Sequence, residues 1–146
     1  MTTDTDTILR ISKVIPAARE AVFSAWIDPE QIKQWSCPPA ASVLDAEVDL
    51  EVGGAFRIQM RGMEGAIYTA FGAYREIDRP SRLVYTWDWE EQDRAVGETI
   101  VTVEFIDRGD STEVVVTHEG FPSAEATEGH RQGWAGSLEQ LERLFA

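Results

Sequence analysis

The chain has 146 residues, 43% of them hydrophobic and 10% aromatic, with 13 Lys and Arg against 26 Asp and Glu, for a formal charge of −13 at pH 7. That length suits one domain able to bury a core without disulfides or metals, and the acidity disfavours nucleic acid and anionic membrane surfaces as partners. Cys37 is the single cysteine, so no intramolecular disulfide can form. No run approaches the roughly 20 apolar residues of a membrane-spanning helix.

Residues 1–7 are polar and acidic, without the basic start and apolar run of a signal peptide, and read as a flexible tail on a cytoplasmic protein with no stable membrane insertion. Leu9, Ile11 and Ile15 alternate up to Pro16 and predict a first strand, with Val14 off that phase. From Ala17 to Ile27, Ala18, Val22 and Trp26 recur at four-residue steps beside Phe23, the pattern of a helix. Asp28 then caps a second short helix begun by Pro29, which carries Ile32 and Trp35 and ends at Pro38 and Pro39.

Strands follow. Leu44, Ala46, Val48 and Leu50 share one face and Asp45, Glu47 and Asp49 the other; Gly53 and Gly54 turn the chain into Phe56, Ile58 and Met60. After a turn over residues 62–65, Ile67, Thr69, Phe71 and Ala73 alternate as far as the Asp78, Arg79, Pro80 turn. Leu83, Tyr85, Trp87 and Trp89 carry the inward set on, and acidic residues 90–93 interrupt it. Thr99, Val101, Val103 and Phe105 make the next strand, and Val114, Val116 and His118 the last. Ser123 caps a final helix whose apolar stripe is His130, Trp134, Leu138, Leu141 and Phe145, with Glu125 and Glu128 near its positive end. No repeat or linker divides residues 8–146 into two domains.

This order, strand, two helices, six strands and a long helix, resembles the helix-grip fold of the START-like superfamily of lipid-transfer, birch-pollen-allergen and polyketide-cyclase proteins. Within it the chain is similar to the branch homologous to the C-terminal domain of the activator of heat-shock-protein-ninety ATPase. The stretches that carry this resemblance are Ala25-Trp26-Ile27-Asp28-Pro29 with Trp35, then Val52-Gly53-Gly54-Ala55-Phe56-Arg57, and Gly72 to Pro80. Arg82-Leu83-Val84-Tyr85-Thr86-Trp87, Thr117-His118-Glu119-Gly120-Phe121 and Gly133-Trp134 complete it. It implies an α+β fold in which a curved antiparallel sheet of about seven strands wraps a long C-terminal helix, with two short helices after the first strand. Any ligand would lie between sheet and helix. The separate N-terminal domain of the eukaryotic activator has no counterpart here, so chaperone activation is not inherited from the resemblance.

The inward alternation marks out a chamber lined by Phe56, Ile58, Phe71, Tyr85, Trp87, Trp89, Val101, Val103 and Phe105, with Trp134 and Leu138 as its lid. Thr69, Tyr85, Thr99, His118 and His130 offer polar handles to a small hydrophobic or aromatic ligand. The plainer alternative for each residue is ordinary core packing. His118 and His130 can meet at one mouth, either as an acid–base pair or as hydrogen-bonded structural histidines. Two histidines with no inward carboxylate do not make a metal site, and no cofactor is expected. Cys37 has no activating histidine nearby and reads as an inert thiol. Gly53-Gly54 is too short for a phosphate loop, and Arg57 and Arg61 lie on the outer phase as surface partners of acids.

Three functions compete: a noncatalytic carrier or sensor of a small hydrophobic molecule; a polyketide-cyclase-like enzyme using His118, His130 or Tyr85 for proton transfer; and a protein-interaction module with a filled interior. A monomer or a homodimer fits any of them.

Overall fold

The computed structural model describes residues 7–37, 41–62 and 64–146. Strand β1 (Ile8–Ile15) leads into helices α1 (Arg19–Ile27) and α2 (Pro29–Trp35). Strands β2 (Ser42–Val48), β3 (Ala55–Arg61), β4 (Ile67–Asp78), β5 (Arg82–Trp89), β6 (Thr99–Asp107) and β7 (Thr112–Glu119) follow, and α3 (Ala124–Phe145) closes the chain. The expected tail lies outside the described residues except for Thr7, and so do Pro38, Pro39 and, in the 62–65 turn, Met63.

The seven strands form one antiparallel sheet in the order β1-β7-β6-β5-β4-β3-β2. Only the β1 to β2 connection spans the sheet from edge to edge, and α1 and α2 occupy it. Asp28 joins the two helices: its Oδ1 accepts the Glu30 N–H at 3.1 Å, with Pro29 in the first turn. Val22, Phe23, Ala25 and Trp26 are the buried side of α1. Phe23 and Trp26 pack their rings on Phe105 of β6, with centroids 5.1 and 5.5 Å apart. Helix α3 starts where Ser123 Oγ accepts the Ala126 N–H and buries Trp134, Leu138 and Leu141 along one stripe. Its closest backbone approaches are to β1 and to α2, so over the middle of the sheet it stands off and leaves space.

Alternation holds along β3, β5, β6 and β7 as expected. Two bulges overturn it elsewhere. In β2 the register to β3 slips between Val43 and Asp45, so Leu44 is the extra residue and is 40% exposed, not inward. Leu50 lies beyond the end of β2 and is exposed too. In β4 the register to β5 slips between Tyr74 and Glu76, which reverses the phase on the two sides of Arg75. Tyr68, Ala70 and Tyr74 therefore turn inward, while Ile67 and Phe71 are 42% and 38% exposed. Thr69 shares their phase but is buried, its backbone joined to Glu90 and to the Glu91 carboxylate.

Candidate functional site

Between the sheet and α3 lies a cavity of about 600 Å³. All five tryptophans of the chain, Trp26, Trp35, Trp87, Trp89 and Trp134, line it. Trp26 and Trp35 come from the two short helices, Trp87 and Trp89 from alternate positions of β5 beside Tyr85, and Trp134 from α3. Met60 of β3 and the segment Asp93 to Val96 complete the wall on the sheet side. On α3 the lining residues are Glu125 in the first turn and then Ala126, Gly129, His130, Gly133, Trp134 and Ser137, one helical face that mixes small residues with two large rings.

The two glycines explain the room. Each costs a helix interior about 1 kcal/mol relative to alanine, yet a Cβ at Gly129 or Gly133 would meet no atom within 4 Å. No neighbouring backbone demands glycine there. What its absence of side chain provides is open volume against the tryptophans.

Four of the five indole N–H groups are committed to the wall. Trp26 donates to Tyr85 Oη at 3.1 Å, Trp35 to the Ala25 carbonyl at 2.8 Å, Trp89 to His130 Nε2 at 3.0 Å and Trp134 to His118 Nδ1 at 3.1 Å. Among the described residues, the Trp87 N–H and the Ser36 hydroxyl are buried in this wall without a protein partner. The lining is accordingly apolar in character, its polar atoms mostly spent on one another.

These bonds set the histidine tautomers. An indole N–H only donates, so His118 Nδ1 carries no proton and Nε2–H donates to Thr99 Oγ1 at 2.7 Å. Thr99 in turn donates to the Trp87 carbonyl at 2.6 Å. His130 accepts from Trp89 at Nε2 and donates Nδ1–H to the Ala126 carbonyl at 2.8 Å. The rings lie edge to face, 5.5 Å between centroids, and do not bond to each other. Burial holds both neutral: it drives His118 down to about 2, helped by His130, and lowers His130 against the opposing bond to Ala126. Burial likewise pushes the Tyr85 phenol up. His118, His130 and Tyr85 thus act as neutral anchors for three tryptophans, and an acid–base step near neutral pH would have to break those anchors first.

Of the residues expected to line the chamber, Tyr85, Trp87, Trp89, His130 and Trp134 do so. Phe56 borders an adjoining void of about 30 Å³ shared with Trp26, Tyr74, Tyr85 and Trp87. Thr99 and His118 stand behind the wall, holding Trp134. Ile58, Val101, Val103, Phe105 and Leu138 are buried core and are not among the cavity's lining residues; for the three on β6, α1 packs over that strand. Phe71 points out of the sheet and Thr69 lies against the 90–91 segment, so neither faces the cavity, a consequence of the β4 bulge. Met60, in phase with Phe56 and Ile58 on β3, also lines the cavity, and Trp26, Trp35 and Arg94 are lining residues that strand alternation does not reveal. The two tryptophans sat on apolar helix stripes that read equally well as core, and Arg94 sits in a loop without periodicity.

No three of His, Cys, Asp and Glu group to hold a metal among the described residues. The buried Cys37 thiol is raised by burial, the opposite of activation. Among the described residues no helix is long and apolar enough to cross a membrane.

A curved seven-stranded antiparallel sheet closed by a long C-terminal helix, with a cavity between them, defines a helix-grip protein of START-like type. The family model described as Activator of Hsp90 ATPase homolog 1-like protein matches residues 16–146, and the chain belongs to that family. A protein from Chromobacterium violaceum is similar in structure, with a TM-score of 0.85 and 27% identity over 95% of this chain and 96% of its own. The AHSA1 protein from Silicibacter pomeroyi gives a TM-score of 0.83 with 25% identity, covering 93% and 95% of the two chains. A protein from Rhizobium leguminosarum gives 0.79 with 28% identity, covering 94% and 92%. No curated protein matches the chain in sequence.

Proposed function

We propose that residues 8–146 act as one ligand-binding domain, a cytoplasmic carrier or sensor that encloses a small hydrophobic or aromatic molecule in the cavity between sheet and α3. The observation that carries this reading is the convergence of all five tryptophans on a single cavity of about 600 Å³, facing a helix side opened by Gly129 and Gly133. A volume of that order suits a drug-sized ligand, and aromatic walls supply large contact area at little entropic cost. The cyclase-like reading is weaker, because its three proton carriers hold tryptophans in place. The filled-interior module is weaker because so much volume is open.

Because every tryptophan lines the cavity, a titration with decan-1-ol read by intrinsic fluorescence tests the proposal. A saturable change in emission is expected for the natural chain. Gly133→Phe places a ring in the open volume without displacing a neighbour at Cβ. It should weaken binding about tenfold or more while leaving the thermal midpoint no lower. Emission that does not saturate, or equal affinity in Gly133→Phe, would overturn the proposal.

A further inference from the structure

The cavity mouth holds an arginine that, among the described residues, no carboxylate pairs with. Among the described residues that line the cavity, Arg94 is the sole arginine or lysine. Its guanidinium carbon lies 4.5 Å from the Tyr68 ring centroid and 4.6 Å from that of Trp89. Those rings meet at 81°, so the guanidinium is lodged in an aromatic corner. This placement orients the group without using its N–H donors.

The chain has twice as many acids as bases, and most of its other arginines are ion-paired, as Arg57 is with Glu90 and Arg75 with Glu98. Around Arg94 the nearby acids have other work. Glu90 binds Arg57 through two bonds of 2.7 and 3.0 Å, Glu91 accepts the Thr69 N–H, and Asp88 Oδ1 accepts the Trp89 and Val96 N–H groups. They shape the 90–98 loop and leave the arginine unmatched: among the described residues no carboxylate pairs with it. Asp93 and Glu125 also border the mouth and, like Arg94, are exposed to solvent, without pairing to it.

We propose that Arg94 is the specificity determinant of the cavity and that its ligand is an amphipathic carboxylate, with the apolar body among the tryptophans and the carboxylate on the guanidinium. A planar carboxylate matches the forked N–H donors of arginine, which a hydroxyl or an ammonium does not. This rests on the ligand-binding reading of the same cavity. The two mouth carboxylates make a cationic headgroup the rival outcome.

The experiment is calorimetric titration with three ten-carbon probes that differ only in headgroup: decanoate, decan-1-ol and decyltrimethylammonium. In the natural chain decanoate is expected to bind about tenfold more tightly than decan-1-ol. Arg94→Gln should erase that preference, lowering decanoate affinity about tenfold more than decan-1-ol affinity, and Arg94→Lys, which keeps the charge but not the fork, should restore part of it. Equal affinities for decanoate and decan-1-ol, a preference that survives in Arg94→Gln, or tightest binding of the cationic probe overturns the assignment while leaving the carrier reading intact. Failure of all three probes overturns both.

Discussion

Gly72→Ala is expected to cost about 3 kcal/mol of stability and to lower the thermal midpoint by roughly 10 °C. A Cβ at this position would lie 1.9 Å from the Thr86 carbonyl oxygen, 2.6 Å from its carbon and 2.8 Å from Cε1 of Phe56. The first two are backbone atoms of the neighbouring strand and cannot rotate away. Strands β4 and β5 come this close because the ladder is irregular here: the Ala73 N–H donates to Thr86 Oγ1 at 2.9 Å, just before the slip at Tyr74/Glu76. Gly72 is therefore a point of close approach between β4 and β5, beside the bulge, where the sheet leaves no room for a side chain. Thermal unfolding followed by circular dichroism measures the loss. A midpoint within about 2 °C of the natural chain, less than 1 kcal/mol by the same scaling, would show that the strands tolerate separation at this point.

The second large effect is on acid stability. His118 is fully buried, and its folded-state pKa is about 2, against 6.5 for a free side chain. Above pH 6.5 the ring is neutral both folded and unfolded, so it adds no pH dependence. Below 6.5 the unfolded chain takes up a proton that the folded protein excludes. Stability is thus full above pH 6.5 and falls by about 1.4 kcal/mol per pH unit as the pH drops toward 2. At pH 4.5 the loss through His118 is about 3 kcal/mol, and His130, also lowered by burial, adds in the same direction. Urea unfolding of the natural chain and His118→Gln between pH 7.5 and 4.5 separates this contribution. The glutamine offers a carbonyl to Trp134 and an amide to Thr99 but does not titrate, so its acid slope should be shallower by that amount. Parallel slopes would mean that His118 is protonated in the folded state.

Much of this architecture is legible in the residues, and the failures have identifiable causes. Along β5, β6 and β7 large apolar residues alternate without interruption, so Tyr85, Trp87, Trp89 and His118 fall on the correct face. The caps at Asp28 and Ser123 are local chemistry and are equally plain. In β4 two phases compete: Ile67 and Phe71 outweigh Ala70 and Gly72 in hydrophobicity, yet Ala70 is buried while Ile67 and Phe71 are exposed, and at Gly72 the neighbouring strand leaves no room for a side chain. Neither Leu44 nor Arg75 carries a glycine or proline signal for the bulge at its position. Whether an inward residue borders core or cavity depends on where α1 and α3 stand over the sheet, a long-range property. That is why Val101, Val103 and Phe105 are core while Trp26 and Trp35 line the cavity. Arg94 reaches the mouth through a loop held by Asp88, and no periodicity foretells such a placement.

The tryptophan cavity as a ligand site is tested most directly by native mass spectrometry of the gently purified natural chain beside Gly133→Phe. A reproducible small-molecule mass on the natural chain, absent from Gly133→Phe and from the denatured protein, is the expected outcome, and it would allow the ligand to be identified. A bare mass for both proteins, unchanged after incubation with decan-1-ol and decanoate, would contradict the assignment of this cavity to ligand binding.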